Sequence, residues 1–505
     1  MRSGSPDVVI IGSGMGGATL AYGIAGSGAR IQILERGEVI APGPDCRDPV
    51  AIFAKGAFRP DEEWLDGAGR GFNPGNYYYV GGNSKFYGAV LFRFREQDFE
   101  AMEHAGGISP AWPIRYGDLQ PYYSAAEQLY QVRGDAAGDP TEPPHSAAYP
   151  FPPVPDEAPI AAVRSRLETL GLRPFSLPLA VDIDRWLEGG QTPWDAFPDT
   201  NSGKMDAETC GLAEALKHPN VAIETGAEVT RLITAPGGGR IEAVEYRDRA
   251  GDLKRLTPRL VTLSAGAVNS AALLLRSAND DYPTGLANRS DQVGRNFMNH
   301  NTSALLSIDP RRVNDCVYQK TIGINDFYLD DGEGGPPLGN VQLLGRVSAP
   351  ILKANLKRLP SWLVARIARH AIDWYAMSED LPDPDSRVRI DGASRIVLDW
   401  RRSNMAPHRK LVARMRRVLR QAGFPIVLSR QFDRRTPSHQ CGTVRFGDDP
   451  ATSALDPFCR AHDHANLFVV DASFMPSSAA VNPALTVAAQ ALRVADHLTQ
   501  TDLAA

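Results

Sequence analysis

The first 35 residues alternate short apolar runs with a glycine-rich turn. Val8 to Ile11 is a β-branched run, Ala18 to Ala25 has the composition of a helix, and Arg30 to Leu34 is a second apolar run that ends at Glu35. Two strands that are joined by a helix in this order pair in parallel. The pattern therefore predicts a βαβ unit and places the chain in the α/β fold class.

The hydrophobic pattern changes twice further along the chain. Residues 221–263 read as short strands and turns, and Gly237 to Gly239 predicts a hairpin between two of them. The segment from Pro140 to Pro159 contains eight prolines and predicts an extended connection. Residues Pro407 to Gly423 have apolar side chains on one helical face and arginines on the other, which is typical of a partly solvated helix.

The glycine-rich turn has the spacing G-x-G-x-x-G. Gly12 permits a tight turn, Gly14 lets the backbone approach a pyrophosphate, and Gly17 lets the helix pack closely on the strand. The N-terminus of the following helix attracts phosphate, and Glu35 can accept hydrogen bonds from ribose hydroxyls. The motif predicts a dinucleotide site, but it does not distinguish FAD from NAD.

Composition narrows the class of protein. A chain of 505 residues exceeds the size of one hydrophobic core, which predicts two large domains. A net charge of -5 gives no general basic field for nucleic acid. The five cysteines are scattered, and no apolar run reaches the roughly 18 residues that span a bilayer. With no leader segment visible at the start, we expect a cytoplasmic protein that binds neither nucleic acid nor membrane.

Two histidines and one cysteine raise the question of metal or thiol chemistry. His462 and His464 form an H-x-H pair in a polar stretch, where exposure on a surface turn is expected. Cys441 has no charged residue spaced to activate it, and we expect a small buried apolar side chain. No metal site is predicted.

Three further segments carry a family resemblance. They are Val80 to Ala89 (VGGNSKFYGA), Ser264 to His300 with its SAGAVNS and VGRNFMNH stretches, and His439 to Leu498 with HQCGTVRFG and the strand, Asn-Pro turn and helix of NLFVVDASFMPSSAAVNPALTVAAQALRVADHL. In this order they resemble the glucose-methanol-choline (GMC) family of flavin oxidoreductases, nearest to bacterial pyranose and glycoside oxidase-like members. The resemblance covers roughly the first 130 residues, 205–300 and 435–500.

The resemblance implies FAD as the cofactor and specific residues around it. Together with the glycine motif, it assigns FAD contacts to Gly12, Gly14, Gly17, Glu35, Gly81, Gly82, Asn83, Tyr87, Gly88, Ala89, Val229, Ala265, Gly266, Asp471, Ala472, Pro483, Ala484 and Leu485. Members that hold FAD covalently use a histidine just after the glycine loop. The aligned stretch here is Ser84 to Tyr87 without histidine, so non-covalent FAD is expected.

The resemblance also implies the reaction. His439 corresponds to the catalytic histidine of the family and Asn482 to the second catalytic position. The expected activity is oxidation of a CH-OH group to a carbonyl on a sugar, glycoside or amino sugar of antibiotic biosynthesis, with hydride transfer to flavin N5. Oxygen or another molecule accepts the electrons. Alternatives are a lyase-type or other non-redox flavoprotein, oxidation of a non-sugar alcohol, and an NAD-dependent enzyme.

The expected architecture is a Rossmann-type FAD-binding domain with a discontinuous α+β substrate-binding domain. We assign 1–150, 205–300 and 435–505 to the FAD domain, and 151–204 and 301–434 to the substrate-binding domain. The second domain should contain an antiparallel sheet, for which Leu338 to Val347 and Ser394 to Trp400 are candidate strands.

Overall fold

A computed structural model describes residues 5–188, 194–436 and 439–504. Its strands are β1 (Val8–Ile11), β2 (Ile31–Glu35), β3 (Trp64–Asp66), β4 (Gly71–Phe72), β5 (Met102–His104), β6 (Gly107–Ser109), β7 (Phe175–Ser176), β8 (Val221–Thr225), β9 (Glu228–Thr234), β10 (Ile241–Arg247), β11 (Leu253–Leu256), β12 (Leu260–Leu263), β13 (Asn301–Ile308), β14 (Ile322–Ile324), β15 (Asn340–Leu343), β16 (Ala371–Ser378), β17 (Arg387–Ile390), β18 (Ile396–Asp399), β19 (Ile426–Gln431) and β20 (Leu467–Val469).

Ten α-helices accompany these strands in the described residues. They are α1 (Met15–Ile24), α2 (Tyr116–Leu129), α3 (Ala158–Thr169), α4 (Ile183–Trp186), α5 (Ala213–Ala215), α6 (Ala267–Arg276), α7 (Ala349–Asn355), α8 (Ser361–Arg369), α9 (Met405–Gln421) and α10 (Ala484–Gln500). None of the helices in the described ranges is long and apolar enough to cross a membrane.

A five-stranded parallel sheet forms the first layer, with the order β20-β12-β1-β2-β8. Val8 to Ile11 of the central strand are buried, as expected for a parallel strand covered on both faces. The predicted βαβ unit is confirmed, and its helix begins three residues earlier than the apolar pattern indicated. The earlier start brings the helix N-terminus directly behind the glycine turn.

The second large sheet has six strands in the order β19-β13-β16-β15-β14-β7, and its paired strands are antiparallel. One face packs on α3 and α9 through a buried cluster that includes Leu305, Val341, Trp374 and Leu411. The opposite face carries Gln342 and Asp373, because side chains alternate along a strand. This polar face lies toward the carboxyl edge of the parallel sheet, where Gln342 reaches Asn482.

Only one of the two candidate strands of the antiparallel sheet belongs to it. Leu338 to Val347 contains β15, but Ser394 to Trp400 contains β18, which joins a separate four-stranded sheet with β17, β3 and β4. β18 pairs in parallel with β3, more than 300 residues away in the sequence. Alternating hydrophobicity predicted a strand there correctly, but it carries no information about the partner strand.

Other local predictions have mixed outcomes. β9 and β10 form the hairpin around the triple glycine, and α9 lies within two residues of the predicted helix. All five cysteines, including Cys441, are buried and unpaired. The prediction that His464 is exposed is wrong: its side chain is fully buried, accepts a hydrogen bond from Ala287 N and contacts Gly238 O at 2.8 Å. The polar stretch around His464 packs on the β9-β10 hairpin, a long-range contact that local polarity cannot indicate.

Candidate active site

The loops that follow β1, β12 and β20 meet at the carboxyl edge of the parallel sheet, where α/β proteins bind ligands. Gly12 has a φ of +98°, and a Cβ atom there would lie 2.5 Å from Ser264 O. Gly17 is equally crowded, because its Cβ atom would lie 2.1 Å from Gly12 O. Both glycines are therefore required for the turn and for the contact between helix and strand.

Gly14 differs from its neighbours, since a Cβ atom added to it would meet no other atom within 4 Å. A Cβ atom on Gly82, from the loop after β4, would lie 3.3 Å from Gly14 Cα, and Gly81 N donates to Ser13 Oγ at 3.1 Å. Two glycine loops thus approach each other beside an open space at the N-terminus of α1. The space, the bare backbone and the helix terminus fit a pyrophosphate.

Glu35 lies buried at the end of β2 and holds the glycine turn in place. Its Oε2 atom accepts hydrogen bonds from Ser13 N at 2.9 Å and from Ser13 Oγ at 2.7 Å, and its Oε1 atom accepts from Gly37 N at 2.8 Å. A carboxylate oxygen accepts more than one hydrogen bond, so Oε1 keeps acceptor capacity for a ribose hydroxyl. Val229 lies nearby on β9, two residues after Ala227, whose N-H donates to Glu35 O.

The loop from Gly81 to Ala89 approaches Gly14 through Gly82 and Lys320 through Gly88. Asn83 is exposed and its Oδ1 accepts from Tyr77 N, while Tyr87 donates its hydroxyl to Met205 O at 2.7 Å. A Cβ atom on Gly88 would lie 2.1 Å from Lys320 Nζ, so this ammonium group rests directly on the loop backbone. Ala89 has a φ of +56°, a conformation that is uncommon outside glycine.

Asp471 follows β20 and organises the neighbouring loops. Its four hydrogen-bond donors are Gly266 N, Ser270 Oγ, Ser473 N and Ser473 Oγ. Burial raises the pKa of this carboxyl, and the four hydrogen bonds oppose that effect. Each carboxylate oxygen already accepts two hydrogen bonds from the protein. We therefore expect Asp471 to act on the predicted cofactor site indirectly, by holding the backbone of Ala265, Gly266 and Ala472 in place.

Helix α10 points its N-terminus at the same region. Pro483 is the N-cap, and Val487 is the first residue whose N-H bonds back to it, at 3.0 Å. The N-H groups of residues 484–486 precede this bond and have no acceptor within the helix. Leu485 is completely buried in the core, so of the predicted contacts here Ala484 offers backbone and a partly exposed side chain, whereas Leu485 offers only backbone.

The two predicted catalytic residues come together at this edge although 43 residues separate them: Asn482 Nδ2 lies 3.3 Å from His439 Nε2. Both side chains are partly exposed. His439 has a φ of +71°, and strained backbone of this kind clusters at functional sites. The Oδ1 atom of Asn482 accepts a hydrogen bond from Gln342 Nε2 at 3.1 Å, which connects the catalytic pair to the antiparallel sheet.

A second histidine supports the first. His300 is 1% exposed, and its Nδ1 atom lies 2.8 Å from Nδ1 of His439, while its Nε2 atom lies 2.8 Å from Ser478 O. The pKa of His439 lies well below its ordinary value, chiefly because the surrounding protein removes water from the ring. The neighbouring His300 and the ammonium of Lys320 lower it further. Burial likewise lowers the pKa of His300. Both imidazoles are therefore neutral at neutral pH.

Sequence reasoning missed three partners of the catalytic pair: His300, Gln342 and the ion pair of Lys320 with Asp195, which spans 2.6 Å. His300 closes the VGRNFMNH stretch of the family resemblance, which was the available signal. Gln342 and Lys320 lie in the middle of the chain, where the resemblance is weak. Among the described residues, no group of three or more His, Cys, Asp or Glu side chains is arranged to hold a metal ion.

Comparisons with known proteins identify the family of this chain. Two family profiles, both described as GMC oxidoreductase, match residues 184–302 and 382–491. The chain is 32% identical to 6'''-hydroxyparomomycin C oxidase of Streptomyces lividus, over 97% of this chain and 92% of that protein. It is 30% identical to paromamine 6'-oxidase of Streptomyces fradiae, over 97% and 90% of the two chains.

More distant matches extend over the whole chain. Fructose dehydrogenase large subunit of Gluconobacter japonicus is 26% identical over 98% of both chains. The crystal structure of pyridoxine 4-oxidase from Mesorbium loti superposes with a TM-score of 0.66 and 21% identity, covering 97% of this chain and 99% of that one, which supports the fold. With near full-length relatives at 30% identity or more, the chain belongs to the GMC oxidoreductase family, whose members are generally flavoproteins that use FAD.

Proposed function

We propose that this enzyme oxidises the CH-OH group of a sugar, glycoside or amino sugar, with His439 as the general base and Asn482 as the residue that holds the alcohol oxygen. The observation that carries the proposal is the 3.3 Å contact of Asn482 Nδ2 with His439 Nε2 beside the glycine loops. FAD, when bound, supplies the hydride acceptor at N5. All other contributions come from side chains and backbone of this chain.

His439 has the properties of a base for this reaction. An alcohol proton is too weakly acidic to leave unaided, so a base must accept it as negative charge builds on the oxygen. The lowered pKa of His439 keeps its imidazole neutral at neutral pH, with one ring nitrogen free to accept. Its Nε2 atom is the nitrogen that faces Asn482.

Asn482 is suited to stabilise the developing charge. Its Oδ1 atom accepts from Gln342, which orients the amide so that its N-H groups point toward the base. An amide donates to a developing alkoxide without titrating, and a donor that is already oriented costs no reorganisation during the reaction. The Gln342 contact therefore couples the antiparallel sheet to the chemistry.

The residues that would hold FAD follow from the open space near Gly14 and the groups around it. We assign the pyrophosphate to Gly12, Gly14 and the N-terminus of α1, the ribose to Glu35, and the flavin end to residues 81–89 and the N-terminus of α10. The parallel sheet draws its strands from residues 8–35, 221–263 and 467–469, in line with the assigned FAD domain. The antiparallel sheet draws its strands from 175–176 and 301–431, in line with the substrate-binding domain.

Non-covalent attachment of FAD is supported by the loop itself. The stretch from Ser84 to Tyr87 contains no histidine, and Lys85 is held in ion pairs with Asp206 at 3.0 Å and Glu208 at 2.6 Å. Acid precipitation should therefore release yellow FAD into the supernatant. Colour that stays with the pellet would contradict this part of the proposal.

The substrate class rests on the relatives and on the sheet above the site. The names of two relatives are those of aminoglycoside oxidases, and a third is a fructose dehydrogenase. The antiparallel sheet contributes Asn340 and Gln342 on one face of β15, and the Oδ1 and Oε1 atoms of these two buried amides have no partner among the described residues. Unpaired amide oxygens are suited to accept from hydroxyl or ammonium groups.

The decisive experiment is anaerobic flavin reduction across a panel of sugars, aminoglycosides and simple alcohols, followed by reoxidation with air. The expected result is rapid bleaching by at least one polyhydroxylated compound. The reoxidation rate then distinguishes oxygen from another electron acceptor. Bleaching by aliphatic or aromatic alcohols alone would refute the sugar class, and no bleaching by any alcohol would refute the reaction.

The role of His439 is tested on the same substrate. His439→Ala should bind FAD normally and undergo flavin reduction at least about a hundredfold more slowly, since a positioned base contributes roughly 10² to 10⁴ in rate. The control is His408→Ala, which removes a buried histidine that hydrogen-bonds Ser303 and Ser378 behind the antiparallel sheet. Near-normal reduction in His439→Ala with intact FAD would overturn the assignment.

A further inference from the structure

We infer that His300 is a positioning residue that keeps His439 in the tautomer with hydrogen on Nδ1 and the lone pair on Nε2. The inference deepens the proposed function and rests on it, because it assumes that His439 is the base. What it adds is a reason why Nε2, and not Nδ1, is the nitrogen that accepts the substrate proton.

The backbone places the two imidazoles opposite each other, with their ring planes at 77°. Met298 and Cys441 form an antiparallel bridge in which each N-H donates to the carbonyl of the other at 3.0 Å. His300 and His439 lie two residues beyond this bridge on opposite strands, where side chains are cross-strand neighbours. Their ring centroids lie 4.9 Å apart. The contact between the two Nδ1 atoms therefore follows from strand register.

The carbonyl of Ser478 decides which atom donates and which accepts in the series of hydrogen bonds from Ser478 through His300 to His439. A carbonyl oxygen only accepts, so His300 Nε2, at 2.8 Å from Ser478 O, must carry the hydrogen. In a neutral imidazole the other nitrogen then has the lone pair. His300 Nδ1 is therefore an acceptor, and His439 Nδ1, at 2.8 Å, must donate to it. His439 Nε2 is left as the basic nitrogen.

The opposite end of this series of hydrogen bonds, at Asn482, leads to the same assignment independently. Asn482 turns its Nδ2 atom toward His439 Nε2 at 3.3 Å and its Oδ1 atom toward Gln342 Nε2 at 3.1 Å. An amide nitrogen only donates, so its partner on His439 must be a lone pair. Every contact from Ser478 to Gln342 is thus satisfied with one and the same tautomer of each ring.

The alternative tautomer of His439 requires a charged His300. With hydrogen on Nε2 of His439, its Nδ1 would accept, and His300 would have to donate from both nitrogens as an imidazolium. His300 is 1% exposed, and burial lowers its pKa despite the charge of nearby Glu379. The titratable groups that face His439 are His300 and Lys320, and the ammonium of Lys320 is paired with Asp195. Neutral His300 and the lone pair on Nε2 of His439 are therefore the stable combination.

The test compares two substitutions of His300 in the FAD-loaded enzyme. His300→Phe fills the space but removes donor and acceptor, and we expect roughly a hundredfold slower flavin reduction at saturating substrate, with an unchanged substrate dissociation constant. His300→Asn retains the acceptor for His439, because its Oδ1 takes the place of His300 Nδ1, and should recover reduction to within about tenfold of the wild type. His408→Phe is the control for loss of an equally buried histidine.

Specific outcomes would overturn the inference. Reduction in His300→Phe at near wild-type rate, or His300→Asn as slow as His300→Phe, would show that the donor and acceptor pattern is irrelevant. If His300→Phe reduces flavin at near wild-type rate while His439→Ala reduces it slowly, only the positioning role of His300 is lost. If His300→Phe and His439→Ala both reduce flavin rapidly, His439 is not the base. The two failures are therefore distinguishable.

A direct measurement covers the case in which His300→Phe does not fold. In holoenzyme labelled with ¹⁵N-histidine, the ring signals that disappear in His439→Gln belong to one of the ten histidines of the chain. Their ¹⁵N shifts should report a neutral ring with Nδ1 protonated and Nε2 unprotonated at neutral pH. A ring protonated on Nε2 would overturn the inference without reference to activity.

Discussion

The two halves of the proposed active site are built in different ways. The nucleotide cradle, which consists of Gly12 to Gly17, Glu35, Gly82, Gly266 and Asp471, offers mainly backbone groups, and its carboxylates hold those backbones in place. The catalytic chain, which consists of His300, His439, Asn482 and Gln342, offers side chains from four separate segments. A backbone site is encoded by short motifs, whereas a side-chain site is encoded by the packing of distant segments.

The difference predicts different responses to substitution. A backbone site fails when any side chain occupies the space of the ligand, and the response is close to all or none. A chain of hydrogen bonds weakens by the contribution of each contact, about 0.5 to 1.5 kcal/mol for a neutral pair. Substitutions should therefore abolish cofactor binding in the cradle and produce graded losses of rate in the catalytic chain.

The largest effect is expected from Gly14→Val. The new side chain meets no protein atom near its Cβ position, so the chain should fold, but it would occupy the space beside the N-terminus of α1. FAD occupancy should fall at least about tenfold, measured by flavin absorbance per purified chain. Gly117→Val is the control, since Gly117 has equally open surroundings in α2. Full flavin content in Gly14→Val would show that the pyrophosphate lies elsewhere.

Asn482→Ala should have the next largest effect, on the rate of flavin reduction. Loss of an oriented donor to developing negative charge costs on the order of 10² in rate, with FAD content unchanged. Stopped-flow flavin reduction measures the loss. Asn482→His keeps a ring N-H and should lose less than Asn482→Ala. If both variants reduce flavin at wild-type rate, Asn482 does not contact the reacting oxygen.

Gln342→Met should have a smaller effect on the limiting rate at saturating substrate, since the hydrogen bond that orients Asn482 is lost but Asn482 itself remains. A loss of roughly threefold to tenfold in flavin reduction is expected, equivalent to one neutral hydrogen bond. Gln490→Met makes the same change in another buried glutamine, whose Nε2 donates to Pro457 O behind α10. Equal losses in the two variants would mean that Gln342 acts through stability alone.

The smallest effect is the pH dependence. A base with an ordinary pKa of about 6.5 would lose half of its reactive form at pH 6.5. Because the pKa of His439 is lowered, its neutral form persists to lower pH, and the limiting rate of flavin reduction should be unchanged between pH 8 and 6.5 and fall only below that range. His300, Lys320 with Asp195, and Glu379 are the charged or titratable groups near the two imidazoles. A twofold loss by pH 6.5 would contradict a depressed pKa.

Local signals were sufficient to predict the N-terminal βαβ unit and its glycine turn. The run from Val8 to Glu35 predicted strand, turn and helix, because Gly12 and Gly17 stand where a side chain would clash and because apolar residues recur at different spacings in helices and strands. Partners in space were not predictable in this way. Ile396 to Asp399 is a strand as expected, but its pairing with β3 depends on a contact across more than 300 residues.

The sequence by itself determined the family and the glycine motif, and it predicted His439 and Asn482 as the catalytic pair, since these depend on residue types at short spacing. Only the tertiary structure decided that His300 stands opposite His439, because that contact follows from the register of the Met298-Cys441 bridge. It also decided that Gln342 reaches Asn482 and that His464 is buried. Registers and burial depend on long-range packing, which no local pattern of apolar and polar residues records.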